Sequence, residues 1–173
     1  MSITWAVMIL YEEIFKAFQK NRVEYVLVGG MAFNLLGGNR STFDMDILVE
    51  LSDENLKKVV SILKRKGYKV KQPVNPMDMA VKRIRTDWIH NKNMKAFNFY
   101  KEKEMKEVDI IVSSPVKFAQ ARKDYVRVKS GELTLPVISI KKLIKMKNRT
   151  GRSIDNFDIE ELKKIQKLKR KIG

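Results

Sequence analysis

The stretch Tyr25-Val-Leu-Val-Gly-Gly-Met-Ala and the later stretch Asp44-Met-Asp-Ile-Leu-Val decide the fold of this 173-residue chain. The first is a β-branched run that stops at Gly29-Gly30, which predicts a buried strand, a tight turn and a short helix. The second begins a new strand with Asp44 and Asp46 two residues apart. Alternate residues of a strand share a face, so both carboxylates are expected to point the same way.

A third acid lies in a strand-like segment further along the chain. In Glu107-Val-Asp-Ile-Ile-Val the apolar residues at positions 108, 110 and 112 take one face, which leaves Asp109 on the other. A lone Asp inside such a strand is costly unless it is solvated or bound to a partner. If this strand lies beside that of Asp44 and Asp46, three carboxylates converge.

Three converging carboxylates are a ligand set for divalent metal. Carboxylates repel one another unless a cation sits between them, and their hard oxygens favour Mg²⁺ or Mn²⁺. Such a set holds two ions about 3.5–4 Å apart, one on the phosphates of a nucleoside triphosphate (NTP) and one on an acceptor hydroxyl. In this hypothesis Asp44 and Asp46 bridge the metals. Asp109 binds the acceptor-side metal and acts as general base.

The residues around the Gly-Gly turn predict a phosphate site. Two glycines between a strand and a helix let backbone N–H groups approach a phosphate. Arg40 is predicted to brace the triphosphate, and Thr42 follows it in an Arg-x-Thr spacing just before Asp44. Taken singly, a Gly-Gly turn is typical of plain strand–helix packing, and an Asp-x-Asp pair is typical of surface acids. The order of all these parts along the chain favours a functional site.

From Val26 to Val112 the chain resembles the nucleotidyltransferase superfamily that includes DNA polymerase β. The Gly-Gly turn and the three carboxylates carry the resemblance, whereas the spacer between them is longer than usual and adds Arg40-Ser-Thr. This variant is similar to the AbiEii-like abortive-infection toxins and to the small antibiotic nucleotidyltransferases. The resemblance implies metal-dependent transfer of a nucleoside monophosphate from an NTP, such as ATP, to a hydroxyl, with pyrophosphate leaving.

The tail from Leu143 to Ile159 also resembles that of AbiEii-like proteins, in which a Lys, an Arg and Asp residues follow the third carboxylate. By this similarity Lys147 contacts a nucleotide phosphate and Arg152 belongs to the nucleotide site. Asp155 and Asp158 then shape the site or tie the helices together. The alternative is a helix pair held by ion pairs alone.

The charge of the chain indicates the kind of partner it attracts. The net charge is +16, and residues 141–173 contribute half of it, with twelve basic and four acidic side chains. Such a surplus attracts polyanions, so RNA, for instance a tRNA end, is the expected acceptor, and an AbiEii-like toxin would have a cognate antitoxin. A small cationic antibiotic is disfavoured unless its pocket is locally acidic. The alternative is a solvated basic surface with no polyanion partner.

A rival function is a non-catalytic module that keeps the fold and binds nucleic acid or a partner protein through its basic face. The two functions differ in metal dependence, since a pure binder loses nothing when the three acids are neutralised. The oligomeric state stays open. The chain has no cysteine, which excludes disulfides and favours the cytoplasm. The uncharged stretches Met1–Tyr11 and Tyr25–Asn39 are too short to cross a membrane.

The order of elements predicts an α+β (α/β) fold, with a nucleotidyltransferase-like central mixed sheet flanked by helices and a C-terminal helical tail. We expect one domain over residues 1–173, with its core at about 20–135 and its tail at about 138–173. The predicted helices are Ile3–Gln19, Met31–Leu36, Asp53–Lys66, Pro115–Ala121, Ile140–Lys147 and Phe157–Lys171. The predicted strands are Val23–Val28, Met45–Glu50, Tyr68–Lys71, Lys95–Tyr100, Glu107–Val112, Tyr125–Val128 and Glu132–Leu135. Lys82 to Trp88 is predicted to be a solvated basic loop, with a nucleic-acid contact as the alternative.

Overall fold

Seven strands of the chain form one mixed β-sheet. The computed structural model describes residues 9–172. The strand order is β3-β4-β5-β2-β1-β7-β6. Two neighbouring pairs, β1–β7 and β2–β5, are parallel and the other four are antiparallel. The strands are β1 (Tyr25–Val28), β2 (Asp44–Val49), β3 (Lys69–Val70), β4 (Ala96–Lys101), β5 (Lys106–Ile111), β6 (Val126–Ser130) and β7 (Leu133–Val137). The predicted mixed sheet is confirmed.

Helices flank this sheet, again as predicted. They are α1 (Glu12–Lys20), α2 (Gly29–Leu35), α3 (Asp53–Arg65), α4 (Lys82–His90), α5 (Phe118–Ala121), α6 (Ile140–Lys147) and α7 (Ser153–Ile172). Short 3₁₀ turns cover Pro76–Ala80 and Glu102–Glu104. The predicted first helix lies partly outside the described residues, since residues 3–8 are not among them. The last helix begins four residues earlier than predicted.

Strand parity places the core and the acids on opposite faces of the sheet. Met45 and Ile47 of β2, with Val108 and Ile110 of β5, are fully buried in the hydrophobic core. Parallel pairing sets β2 and β5 side by side, so the alternate residues of both strands share the other face. The acids of β2 and β5 are those alternate residues.

A buried tyrosine ties the chain before α1 to the ends of the strands that carry the acids. Tyr11 is fully buried, and its hydroxyl lies 2.6 Å from the carbonyl oxygen of Phe43 and 2.8 Å from that of Glu107. The same hydroxyl accepts a hydrogen bond from the Glu107 amide at 3.0 Å. One side chain thus fixes the starts of β2 and β5 relative to each other.

The prediction of a basic loop at Lys82–Trp88 is wrong, because this segment is the helix α4. Trp88 is 5% exposed and its ring packs 5.2 Å from that of Phe97. Arg85 is also buried, and its guanidinium donates to Asp53 and to backbone carbonyl oxygens. Because Trp88 is buried and the Arg85 guanidinium already donates to protein oxygens, neither side chain is available to contact nucleic acid. Among residues 9–172, no helix combines the length and hydrophobicity needed to cross a membrane.

Candidate active site

The Gly-Gly turn packs directly against one of the predicted acids. Gly29 has φ +66°, a left-handed conformation that side chains rarely adopt. A Cβ at Gly29 would lie 1.9 Å from Asp46 Oδ2, far inside van der Waals contact. Only glycine fits here, and its presence lets the backbone after β1 touch the Asp46 carboxylate.

The segment before β2 folds back onto the same turn. A Cβ at Gly30 would lie 2.7 Å from both Arg40 Nη2 and Thr42 Oγ1, so these two side chains contact the Gly30 backbone. Asn34 of α2 holds the loop, because its Nδ2 donates to the Arg40 carbonyl oxygen (2.8 Å) and its Oδ1 accepts from the Arg40 amide (3.1 Å). The structure thus brings together Gly29-Gly30, Arg40, Thr42 and Asp46.

The three predicted carboxylates lie on adjacent strands, in register. Asp46 pairs with Asp109 across the parallel β2–β5 ladder, and Asp44 pairs with Glu107 two residues earlier on each strand. Asp44 is exposed, whereas Asp46 and Asp109 are partly buried, so the acids line an open face of the sheet. Glu107 is a fourth acid that the sequence prediction left out, although it has the same strand parity as Asp109. Its carboxylate pairs with the Lys71 ammonium at 2.6 Å.

Two amides hold Asp109 from the neighbouring strand. Asn98 of β4 pairs with Asp109, and its Nδ2 donates to Asp109 Oδ1 at 2.7 Å. Gln72 Nε2 in turn donates to Asn98 Oδ1 at 2.7 Å. Sequence reasoning missed both residues. The available signal was Asn98 itself, a polar residue between two phenylalanines of a predicted strand.

The acids destabilise one another's charged forms. Burial and the nearby carboxylates of Asp109 and Asp44 raise the pKa of Asp46 from 3.8 to about 7. Burial and the charge of Glu107 raise the pKa of Asp44. Burial also raises the pKa of Asp109, against the lowering effect of the Asn98 hydrogen bond. Burial and the repulsion between the carboxylates therefore outweigh the nearby positive charges of Lys71, Arg40, Lys147 and Arg152, which lower these pKa values.

The donor set fits a divalent cation. Oxygen ligands with raised pKa values gain most from a nearby positive charge, and carboxylates are the usual ligands of Mg²⁺. Within the described residues, no three His, Cys, Asp or Glu side chains lie close enough together to form a ready-made metal site. One oxygen of Asp109 is already held by Asn98. Binding a cation requires the carboxylates to turn toward it.

The tail places a buried charge cluster next to these acids. Lys147 is 5% exposed, and its ammonium lies 3.2 Å from Asp155 Oδ1 and 2.7 Å from Asp158 Oδ2. Burial alone would raise the pKa of Asp155, but hydrogen bonds from Arg152, Thr150 and Lys147 lower it to about 2. The positive charges of Lys147 and Arg152 partly offset the rise in the pKa of Asp46. This geometry matches the ion-pair alternative, and the direct phosphate contacts of Lys147 and Arg152 stay predictions.

A comparison with protein families identifies the group to which this arrangement belongs. The model of the aminoglycoside-2''-adenylyltransferase family matches residues 10–165. The chain belongs to this family. It is therefore a nucleotidyltransferase, as the resemblance implied, while the AbiEii-like branch is not confirmed. No curated protein sequence matches the chain.

Solved structures of nucleotidyltransferases share the fold. The lincosamide antibiotic adenylyltransferase LnuA, solved with lincomycin bound, has a TM-score of 0.60 and 21% identity over 90% of this chain and 96% of its own. ANT(2'')-Ia, solved with adenylyl-2''-tobramycin, has a TM-score of 0.55 and 12% identity over 95% and 97%. A putative nucleotidyltransferase from Thermotoga maritima has a TM-score of 0.58 and 16% identity over 99% and 96%.

Proposed function

We propose that this nucleotidyltransferase transfers AMP from ATP to a hydroxyl group of a small cationic antibiotic of the aminoglycoside class. The family to which the chain belongs is named for adenylyl transfer to the 2'' position of an aminoglycoside. Two enzymes of the same fold were solved with lincomycin or with an adenylylated tobramycin. These names support both the transferred group and a small acceptor.

One observation carries the choice of a cationic acceptor. Four carboxylates, those of Asp44, Asp46, Glu107 and Asp109, share one face of β2 and β5 in a chain of net charge +16. The basic composition of the chain disfavours a cationic acceptor only if the acceptor pocket is as basic as the rest of the surface. At short range an ammonium group responds to the nearest charges, because charges beyond about 8–10 Å are screened at physiological salt. The local acids therefore remove the objection to a cationic acceptor that the basic composition of the whole chain raises.

We assign the nucleotide phosphates to the Gly-Gly turn. Gly29 and Gly30 carry no side chains of their own, and the side chains of Asp46, Arg40 and Thr42 lie against their backbone. An Arg guanidinium binds phosphate oxygens in a planar, two-pronged geometry. The positive charges of Lys147 and Arg152 oppose the rise in the pKa of Asp46. Both side chains are held near the site by ion pairs with Asp155.

The acceptor hydroxyl then attacks the α-phosphorus of ATP, and the bond to the β-phosphate oxygen breaks as pyrophosphate leaves. Asp109 takes the hydroxyl proton at Oδ2, since Asn98 occupies Oδ1. Asp44, Asp46 and Asp109 would hold Mg²⁺ or Mn²⁺, which supplies charge neutralisation on the phosphates and acidifies the acceptor hydroxyl. The remaining contribution of the protein is to position the reactants.

We also propose that residues 1–173 act as one domain, because the tail contacts the site through Asp158 and Arg40. An RNA or tRNA acceptor, with a cognate antitoxin, is the second candidate, and the basic surface of α7 favours it. A non-catalytic binding module is the third. The family name and two of the three structural relatives favour an antibiotic acceptor over both.

The test is to incubate the protein with each α-labelled NTP, Mg²⁺ or Mn²⁺, and one acceptor at a time: an aminoglycoside, lincomycin or total cellular RNA. We expect label on the aminoglycoside with ATP, and none in EDTA or with Asp46→Asn. Label on RNA alone would show that the acceptor is RNA and not an aminoglycoside. Binding of RNA with no label on any acceptor would support the non-catalytic module.

A further inference from the structure

The C-terminal helix reaches across to the loop that carries Arg40. Asp158 of α7 is fully buried, and its Oδ2 lies 3.1 Å from Arg40 Nε and 2.7 Å from Lys147 Nζ. One carboxylate oxygen thus contacts two cations from different parts of the chain. Arg40 is 22% exposed in its side chain, so most of the guanidinium is enclosed and one part stays open.

One face of α7 covers the loop that carries Arg40. Asp158, Leu162 and Ile165 follow one another at spacings of four and three, which places them on the same side of a helix. Leu162 is fully buried, and a Cβ at Gly37 would lie 3.7 Å from Ile165 Cδ1. The helix therefore packs along the loop between Gly37 and Arg40.

Arg40 is held at three points. Its backbone exchanges two hydrogen bonds with Asn34, its Nε faces Asp158, and its Nη2 rests against the Gly30 backbone. A free arginine loses rotamer entropy when it binds an anion, whereas one already fixed in place loses less. The guanidinium is thus pre-set beside the Gly-Gly turn, at the position we assign to the nucleotide phosphates.

The pairing of Arg40 with Asp158 is not optimised for stability alone. Neither Arg40 Nε nor Asp158 Oδ1 has a hydrogen-bond partner in the described part of the chain, although both are buried. Unsatisfied buried polar atoms are rare and destabilising. Asp158 instead stands where its charge compensates both Arg40 and Lys147, which suits a role in placing cations.

We propose that Asp158 is a positioning residue for the nucleotide: it fixes the Arg40 guanidinium against the Gly-Gly turn and makes α7 part of the phosphate site. This inference rests on the proposed function, because it takes the turn to bind the phosphates of an NTP. Asp158 itself contacts no phosphate. It acts only through Arg40, and this dependence can be measured.

The experiment is a double-mutant cycle on nucleotide affinity. The dissociation constant of a non-hydrolysable ATP analogue with Mg²⁺ is measured by calorimetry for wild type, Arg40→Gln, Asp158→Asn and the double variant. Loss of one charge-assisted contact raises a dissociation constant by roughly tenfold or more. We expect Arg40→Gln to show this rise and Asp158→Asn a several-fold rise. The double variant should bind no more weakly than Arg40→Gln alone.

Two further variants serve as an alternative substitution at Asp158 and as a control on the same helix. Asp158→Glu keeps the negative charge beside Lys147, so it protects the fold if Asp158→Asn unfolds, and its longer side chain should still weaken binding by displacing Arg40. Glu161→Gln on the same helix removes only a pair with Lys164 and is expected to leave affinity unchanged.

The outcomes separate the two ideas. Independent, multiplicative effects of the Arg40 and Asp158 variants, or unchanged affinity in a folded Asp158→Asn or Asp158→Glu, overturn the positioning role alone. A wild-type protein that binds no nucleotide overturns the proposed function, and the positioning role with it. A dissociation constant that depends on Asp158 only when Arg40 is present supports the proposal.

Discussion

Replacing Asp46 with Asn is expected to stabilise the fold while abolishing AMP transfer. Burial and the charges of Asp109 and Asp44 raise the pKa of Asp46 from 3.8 to about 7. Holding this carboxylate ionised at pH 8 therefore costs about 4 kcal/mol of folding free energy, at about 1.4 kcal/mol per pH unit. That figure is an upper limit for the gain, because the Asn amide also needs hydrogen-bond partners.

The sign of the pH dependence follows from the direction of the shift. In the unfolded chain the carboxyl group ionises near 3.8, so between about pH 4 and pH 7 the folded protein binds the extra proton. Wild-type stability from this group is full below pH 4 and falls as the pH rises to about 7. Asp46→Asn has no such loss, so the advantage of the variant should grow over the same range.

Urea unfolding in EDTA measures both quantities. We expect Asp46→Asn to unfold with about 2–4 kcal/mol more free energy than wild type at pH 8, which corresponds to a melting temperature higher by roughly 4–16 °C. The difference should approach zero near pH 4. In the labelling assay with ATP and Mg²⁺, transfer by the variant should fall by orders of magnitude, since one ligand of the predicted metal site is lost.

A matched control separates a repelled carboxylate from a paired one. Asp124 accepts a hydrogen bond from Lys142, which lowers its pKa, so Asp124→Asn should give no gain in stability. The reasoning is refuted if Asp46→Asn is less stable than wild type at pH 8, or if it transfers AMP at the wild-type rate. A variant that loses stability and activity in proportion would mark Asp46 as structural.

Further expected outcomes concern the turn, the buried cluster and the basic helix. Gly29→Ala combines a left-handed backbone with a Cβ 1.9 Å from Asp46 Oδ2, so its melting temperature should fall by several degrees or more, as thermal denaturation will show. Asp155→Asn should lower the free energy of unfolding by about 2 kcal/mol at pH 7, because the pKa of Asp155 is lowered to about 2. This loss should shrink as the pH falls from about 4 to 2, and acid titration followed by circular dichroism measures it. If α7 steers RNA, affinity should fall steeply with salt, and changing Lys163, Lys164 and Lys167 to Gln should flatten that slope by about 0.7 per lost contact on single strands. Salt-independent binding would leave α7 as a solvated helix.

The sequence predicted the sheet and its acids because both follow from local periodicity. Asp44 and Asp46 alternate with apolar residues, and so does Asp109, so strand parity alone places them on one face. The turn at Gly29-Gly30 was predicted in the same way, although the positive φ of Gly29 and its contact with Asp46, which require glycine there, were not.

The missed features depend on contacts between distant residues. Arg85 is buried because Asp53 and two backbone carbonyl oxygens accept from it, and no local pattern reveals such partners, so α4 resembled a solvated loop. For the tail, ion-paired helices were one of the two alternatives, but the sequence did not show that Lys147 pairs with both Asp155 and Asp158. The sequence shows where charged residues occur, whereas the packing of distant segments decides which of them form ion pairs.

The parallel pairing of β2 with β5 has a consequence for how the protein folds. The paired residues Asp46 and Asp109 are 63 positions apart in the chain, and the pair Leu27–Val137 that joins β1 to β7 is 110 positions apart. Closing such long loops delays the non-local pairs, which slows folding relative to hairpins. During synthesis, β2 therefore exposes an unpaired edge until β5 has left the ribosome, and nascent chains that stop before Lys106 should be prone to aggregation.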